Sequence, residues 1–237
     1  LFRSIVCEKG LTRQWERDYA AERELPVEMG NEGIWSIDTN LWSRSVEGGE
    51  LEEPGHVPSE EIYEWTEAPG TETEEVEITF TEGRPVAVDG DAMDPVPLVE
   101  HLNQRAGPYG IGRTDVMEDR LLGLKVRENY EHPAATVLLN AHKGLESLVL
   151  TKEERGFKRR VDDRWAEKAY EGLVDAPLVD ALEGFVNETQ TKVTGTVTVR
   201  FEGGQARVVG QESPYAVYEA AFASFSTEDV GDITQAD

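Results

Sequence analysis

Hydrophobic and polar residues alternate with a period of two in two stretches of the chain, as is typical of half-buried β-strands. The first, VEITFTEGRPVAVDG, begins at Val76 and has a turn at Glu82–Gly83. The second, TKVTGTVTVRFEGGQARVVG, begins at Thr191 and turns at Gly203–Gly204. Because each stretch has two alternating runs around a short glycine-containing turn, both predict β-hairpins.

Apolar residues three to four positions apart predict helices elsewhere. Near the start of the chain, Leu11, Trp15 and Tyr19 share one helical face. Thr12 is a candidate N-cap for this helix and Pro26 a candidate stop. Four more helices are predicted: PVPLVEHLNQRAG ending at Gly107, PAATVLLNAHKGLESLVLT starting at Pro133, and two helices around residues 151–171 and 177–190.

Three stretches follow neither period. Residues 35–54, WSIDTNLWSRSVEGGELEEP, are expected to be irregular or to form short extended segments. Residues 52–75 are rich in Pro, Gly and Glu and predict a long surface connection. GIGRTDVMEDRLLGLKVRENYE predicts strands that carry a polar site. Together the elements predict an α/β protein, α+β-like in organisation, with helices packed on a mostly antiparallel sheet.

Charge is the strongest signal in the composition. The 237 residues include 48 acidic and 23 basic side chains, only seven of them Lys, which gives a net charge of −25. A surface this negative argues against sequence-independent nucleic-acid binding. Because 38% of the residues are hydrophobic and patterned, we favour a folded protein with an anionic surface, as in a high-salt cytoplasm, over a disordered acidic segment.

The sequence contains no run near the ~18 apolar residues of a membrane helix. Leu1–Gly10 does not resemble a signal peptide. The single cysteine, Cys7, excludes an internal disulfide and a multi-cysteine zinc site, and we interpret it as a core residue. These features predict a cytoplasmic protein with no membrane partner.

Common catalytic and metal motifs are missing. There is no G-x-x-x-x-G-K-[ST] phosphate loop and no G-x-S-x-G nucleophile elbow. The glycines of GPYGIGR, residues 107–113, have the wrong order for a dinucleotide loop and predict a turn. His132 and His142 are ten positions apart, which is not the spacing of a helical zinc pair. We therefore predict no metal site, assign no catalytic residue, and expect His142 to be a half-buried helix residue.

Four polar side chains in the non-periodic stretches form a candidate site: Ser36, Ser45, Glu118 and Tyr130. Such a set suits a polar zwitterion, because the carboxylate accepts from an ammonium group while the hydroxyls donate to carboxylate and amide oxygens. We expect the four side chains to line one concavity.

Each of these residues also has a simpler structural interpretation. Ser36 can cap a turn, and Tyr130 can belong to the core. Glu118 can pair with Arg120 or Arg113 at the surface. The residue types alone leave both interpretations open.

Long, unusual strings connect these stretches to a known family. WSIDTNLWSRSVEGGELEEP resembles the stretch that opens the synthetase domain of argininosuccinate synthase. GIGRTDVMEDRLLGLKVRENYEHPAATVLLNAHKGLESLVL resembles the family's second signature, and VTGTVTVRFEGGQARVVGQESPYAVY its third. The resemblance runs in order across nearly the whole chain, and the acidic, Lys-poor composition resembles that of haloarchaeal members.

The resemblance implies an ATP-dependent ligation of citrulline and aspartate to argininosuccinate through citrullyl-AMP, in arginine biosynthesis. It implies ATP with Mg²⁺ as cofactor, a cytoplasmic homotetramer, and no nucleic-acid or membrane partner. It also assigns citrulline binding to Ser36, Ser45, Glu118 and Tyr130, the same four residues that their chemistry singles out.

The resemblance also implies a domain division. Residues 1–30 correspond to the end of the nucleotide-binding domain, 31–220 to the synthetase domain and 221–237 to the start of a C-terminal oligomerisation tail. The family's Ser-Gly-Gly-x-Asp-Thr/Ser loop, which holds ATP, is absent from this sequence, so we predict no cofactor-binding residue here and an isolated chain that is inactive. The alternative is a non-catalytic fragment that acts only as a binding or assembly module.

Overall fold

The computed structural model describes residues 9–25 and 35–218. Within these ranges the helices are α1 (Arg13–Glu22), α2 (Pro95–Ala106), α3 (Pro133–Val149), α4 (Lys152–Tyr170) and α5 (Pro177–Gln190). The strands are β1 (Ser36–Thr39), β2 (Arg44–Glu47), β3 (Thr73–Thr81), β4 (Arg84–Val88), β5 (Asp91–Ala92), β6 (Arg113–Asp119), β7 (Lys125–Glu131), β8 (Gly195–Glu202) and β9 (Gln205–Glu212). The predictions for Cys7, Pro26, the domain boundary after residue 30 and the tail at 221–237 lie outside the described residues.

The strands form two antiparallel sheets. A five-stranded sheet has the order β5-β4-β3-β8-β9, and a four-stranded sheet has the order β1-β2-β7-β6. The predicted α+β organisation is confirmed, but the single sheet that we expected is divided in two. The physical reason is that the polar stretches pair with each other through β2 and β7. Strands β6 and β7 carry charged or polar side chains on both faces, so they lack the apolar face that β3 buries under the helices.

Both predicted hairpins are in the five-stranded sheet. Val76, Ile78 and Phe80 of β3 alternate inward, and α2 and α3 cover that face. Pro133 occupies the first turn of α3, as predicted, where its missing N–H costs no hydrogen bond. The side chains of this core include Val76, Ile78, Phe80, Val88, Leu98, Leu102, Val137, Leu145, Val197, Val199 and Phe201.

Helices α4 and α5 pack against each other beside this core. Thr151 begins α4 with a capping box: its hydroxyl accepts from the Glu154 backbone N–H at 3.2 Å, and its own N–H donates to the Glu154 carboxylate at 2.7 Å. Phe157 and Phe185 meet edge to face at 5.1 Å across the helix pair. In the part of the chain that the structure describes, every helix is too short or too polar to cross a membrane.

The other predicted elements are close to their expected places. Thr12 caps α1 by accepting from the Trp15 backbone N–H at 3.2 Å, although the Trp15 and Tyr19 rings remain partly exposed. The predicted turn at residues 107–113 is confirmed as a 3₁₀ turn followed by an extended strand. Gly112 has a φ of +88°, and a Cβ there would lie 2.6 Å from the backbone carbonyl carbon of His132, so only glycine fits.

Candidate functional site

The two serines and the tyrosine of the candidate site lie on one face of the four-stranded sheet. Ser45 of β2 is the direct cross-strand partner of Tyr130 of β7. Ser36 of β1 is opposite Glu47, which lies two residues beyond Ser45 on the same strand. Because side chains two residues apart in a strand, and directly opposite across a ladder, point to the same side, all three share one face.

Glu118 belongs to this face as well. In the β6–β7 ladder Tyr130 is opposite Thr114, and Glu118 is opposite Val126. Tyr130 and Val126 are an even number of residues apart on β7, so Glu118 and Tyr130 point to the same side of the sheet. The Tyr130 hydroxyl donates a short hydrogen bond to Glu118 Oε1. The side of the sheet that carries Ser36, Ser45, Glu118 and Tyr130 is called the site face below.

The four side chains share one face of the four-stranded sheet, and the concavity expected around them stays a prediction. A cleft of about 480 Å³ lies elsewhere and contains none of them. That cleft is lined by Asn40, Leu41, Glu64, Trp65, Glu100, Asn103 and Gln104.

Arg120 and Arg113 were both candidate partners for Glu118, and Arg120 lies near it whereas Arg113 does not. Arg120 Nη1 lies 3.6 Å from Glu118 Oε2, which is an ion pair but is too long for a hydrogen bond. Arg113 is on the opposite face of the sheet, where it donates to Glu60 at 2.9 Å and stacks 3.8 Å above the Tyr63 ring. Glu118 therefore has one nearby cation and a tyrosine hydroxyl, and its side chain retains 19% exposure.

Arg120 is surrounded by three carboxylates on the site face. Its Nη2 donates a short hydrogen bond to Glu128 Oε1 and lies 3.8 Å from Glu47 Oε2. With Glu118 this gives three acids around one guanidinium. The site face is therefore negative, which suits an ammonium group and repels a polyphosphate.

Burial and these charges shift two pKa values. Burial raises the pKa of Glu128 from 4.5 to about 7, with a further contribution from its hydrogen bond with Glu47 and the repulsion between the two carboxylates. Burial also raises the pKa of the Tyr130 hydroxyl, reinforced by its hydrogen bond to Glu118 and the negative charges of Glu118 and Glu128. Tyr130 is thus a neutral donor at physiological pH.

The opposite face of this sheet holds a buried ion pair that sequence reasoning missed. Glu131 is 1% exposed, and its carboxylate accepts from the backbone N–H groups of Glu64, Trp65 and Thr66 at 2.8–3.1 Å. The Thr66 hydroxyl and Arg44 Nη1 donate to it as well, at 2.7 and 2.8 Å. This contact fixes the 62–66 segment to the sheet.

Arg44 and Glu131 are direct neighbours of Ser45 and Tyr130 in sequence and are opposite each other in the β2–β7 ladder. The ion pair therefore fixes the backbone register that places the two site residues side by side. The alternation of side chains along a strand could have predicted this ion pair. If Ser45 and Tyr130 face one side of the sheet, their sequence neighbours Arg44 and Glu131 face the other side together.

His132 and His142 both hydrogen-bond to neighbouring side chains. His132 places its two ring nitrogens 2.9 Å from the hydroxyls of Thr114 and Thr136, and burial lowers its pKa. His142, half-buried in α3 as predicted, hydrogen-bonds to Gln190 at 2.8 Å. Across residues 9–25 and 35–218 no three His, Cys, Asp or Glu side chains are grouped to hold a metal ion.

Comparison with known proteins gives one family. Residues 35–237 match the family model described as Arginosuccinate synthase C-terminal domain. A relative named argininosuccinate synthase from Natronomonas pharaonis is 70% identical over 233 residues, which are 98% of this chain and 58% of the relative. Relatives of the same name from Halobacterium salinarum and Archaeoglobus fulgidus are 67% and 50% identical, over 98% and 95% of this chain and 59% and 58% of their own lengths.

Proposed function

The chain belongs to the argininosuccinate synthase family, and on that basis we propose that it supplies part of the citrulline site of such a ligase. It spans about 58% of the length of the Natronomonas pharaonis relative. In the complete enzyme we propose that citrulline and aspartate are joined at the expense of ATP, in arginine biosynthesis.

The observation that carries this proposal is the hydrogen bond from Tyr130 to Glu118 on the site face, with Ser45 directly beside Tyr130 and Ser36 one strand farther. We propose that Glu118 accepts from the citrulline ammonium group. The hydroxyls of Ser36, Ser45 and Tyr130 donate to the carboxylate or ureido oxygens.

The charge of the site face supports the proposal that citrulline and ATP are held by different parts of the enzyme. Glu47, Glu118 and Glu128 outnumber Arg120, so this face attracts the substrate ammonium group and disfavours a triphosphate. We therefore propose that ATP with Mg²⁺ and aspartate are held mainly by residues outside this site. Attack of the ureido oxygen on the α-phosphate releases pyrophosphate, and the aspartate amine then displaces AMP from citrullyl-AMP. The site face contributes position and charge to both steps.

We also propose that the enzyme acts as a cytoplasmic homotetramer. Several large apolar side chains of α4, α5 and their connection are more than one-third exposed, and burial of such side chains between subunits would favour assembly. These side chains are Phe157, Trp165, Tyr170, Leu173, Val174 and Leu178.

A chimera tests the proposed activity. The 237 residues replace the matching 58% of the Natronomonas pharaonis synthase, and argininosuccinate and pyrophosphate are measured with citrulline, aspartate and ATP in molar KCl. We expect product formation within about tenfold of the parent enzyme, and no ATP–pyrophosphate exchange by the isolated chain. A chimera with parent-like circular dichroism that makes no argininosuccinate contradicts the proposal.

A further inference from the structure

We propose that Glu128 is a positioning residue, which holds the Arg120 guanidinium away from Glu118 so that the Glu118 carboxylate stays available to a substrate ammonium group. This inference rests on the proposed function for the meaning of Glu118. The arrangement of the three side chains can be tested without it.

Arg120 has a fixed backbone and a side chain with several possible partners. Its N–H donates to the Leu124 carbonyl at 2.8 Å, and its carbonyl accepts from the Gly123 N–H at 2.7 Å, which closes the β6–β7 turn. From this anchored position the guanidinium folds back over the site face. It hydrogen-bonds to Glu128 and stays 3.6 Å from Glu118.

The surroundings of Glu128 disfavour a charge on its side chain. Its side chain is only 5% exposed, in the central strand β7. The β2–β7 register places it opposite the half-buried Glu47, and like charges directly opposite each other destabilise a sheet. The ion pair between Glu128 and Arg120 offsets the repulsion between the two acids. The elevated pKa of Glu128 reflects the same conflict between burial, Glu47 and the guanidinium.

The charged and titratable groups around Glu128 come from every neighbouring element. Glu47 belongs to β2, Glu118 to β6 and Tyr130 to β7 itself. From α4, the Tyr170 hydroxyl donates to the Asp119 carbonyl at 3.4 Å and contributes to the raised pKa of Arg120. Among these groups, Glu118 is the nearest acid to which Arg120 can turn when Glu128 loses its charge.

A shorter distance between Arg120 and Glu118 is expected to weaken citrulline binding. If the Arg120–Glu118 separation closes from 3.6 Å to the ~2.8 Å of a charge-assisted hydrogen bond, Oε2 is occupied and the Glu118 charge is compensated internally. A substrate ammonium group then competes with a tethered guanidinium. We expect weaker citrulline binding with little effect on later steps.

A double-mutant cycle in the chimera described above tests this. Glu128→Gln is expected to raise the citrulline KM about tenfold, with kcat changed less than threefold. Adding Arg120→Gln is expected to restore KM to within about threefold of wild type, because the competing cation is gone. Asp119→Asn is the matched control: it removes an exposed carboxylate paired with Lys125 beside the same turn and should leave KM within twofold. A double variant as impaired as Glu128→Gln alone overturns the proposal, because a purely structural role for Glu128 predicts no rescue.

The pH profile and a crystal structure give independent readouts. Protonation weakens the hold of Glu128 on Arg120, so citrulline binding by wild type should weaken as pH falls from 8 to 6 and should be flat over that range in Glu128→Gln. A crystal structure of Glu128→Gln should show Arg120 hydrogen-bonded to Glu118, and an unchanged separation of 3.6 Å overturns the inference. If the wild type shows no response to citrulline at all, the proposed function fails, whereas this distance still decides the role of Glu128.

Discussion

Replacing Glu131 by Gln is expected to destabilise the protein by about 3–5 kcal/mol, although the two side chains have nearly the same volume. The carboxylate accepts from three backbone N–H groups, one hydroxyl and Arg44. A Gln carbonyl oxygen at the Oε1 position can keep the bonds to Trp65 and Thr66. The Glu64 N–H can also keep a bond to that oxygen, which lies 3.1 Å away. The Gln NH₂ group then faces Arg44 Nη1, which loses its carboxylate acceptor and keeps the Ile62 carbonyl at 2.7 Å.

The magnitude comes from the Arg44 guanidinium, which loses its buried carboxylate partner and faces an NH₂ donor instead. A buried unsatisfied neutral donor costs about 1–3 kcal/mol, and a charged one costs more. After the substitution the remaining carboxylate near Arg44 is that of the exposed Glu64, 3.3 Å from Arg44 Nε. Removing one partner of a buried pair costs about 3–5 kcal/mol. That is a large share of a total stability of about 5–15 kcal/mol.

Urea denaturation in molar KCl, followed by tryptophan fluorescence, measures this loss. Hydrogen exchange should in addition become faster in residues 62–66, which Glu131 and Arg44 fix to the sheet. Glu60→Gln is the matched control, because it breaks an exposed ion pair with Arg113 that is worth about 0–1 kcal/mol. In an Arg44→Met background Glu131→Gln should cost markedly less. A loss below about 1 kcal/mol, or an equal loss in both backgrounds, refutes the reasoning.

Three further predictions concern stability. Folding raises the pKa of Glu128 from 4.5 to about 7, so its stabilising contribution is fully present below pH 4.5 and is lost as pH rises through 7. Between pH 5 and 8 the free energy of unfolding of wild type should therefore fall by about 1–3 kcal/mol relative to that of Glu128→Gln. Urea titrations in which the two proteins change in parallel with pH would contradict this. Asn129→Val should raise the free energy of unfolding by about 1–2 kcal/mol in the same assay, since the buried Asn129 amide has no hydrogen-bond partner among the described residues, and a destabilised variant would oppose that explanation. With a net charge of −25, the Tm should rise steeply from ~0.01 M to ~1 M KCl as the Debye length falls from about 30 to about 3 Å, and a flat Tm in calorimetry would argue against an anionic fold stabilised by screening.

The regular elements were predictable because their signals are local. Alternation in Val76, Ile78 and Phe80 predicted a strand with one buried face, and Pro133 marked the start of a helix. The Thr12 cap and the turn at 107–113 follow from side-chain hydrogen bonding and glycine conformations, which depend on a few neighbouring residues.

The division into two sheets was not predictable in the same way. Residues 35–54 contain two strands of four residues each, Ser36–Thr39 and Arg44–Glu47, too short and too polar to give a clear period. Their structure depends on pairing with β7, more than 80 residues away, and on the buried contact between Arg44 and Glu131. Long-range pairing and buried charge carry no local pattern.

The candidate site was predictable at the level of residue types and family resemblance. Ser36, Ser45, Glu118 and Tyr130 share a face because their positions in four different strands have matching parity. The environment of Glu118 was not predictable: of the two arginines considered, Arg120 approaches it, and Glu128 has the stronger contact with Arg120. Which of several carboxylates a flexible arginine contacts is decided by burial and geometry.

Steady-state kinetics of Glu118→Gln in the chimera test the central claim most directly. Loss of a charge-assisted bond worth roughly 1.5–3 kcal/mol predicts a citrulline KM that rises about 10- to 100-fold. The ATP KM should remain within about twofold, because we propose that the triphosphate is held by residues outside the negative site face. If Glu118 only forms a surface ion pair with Arg120, worth about 0–1 kcal/mol, Gln is tolerated at this position. A citrulline KM unchanged within twofold, or an equal rise in the KM values for citrulline and ATP, contradicts the assignment of this face to citrulline.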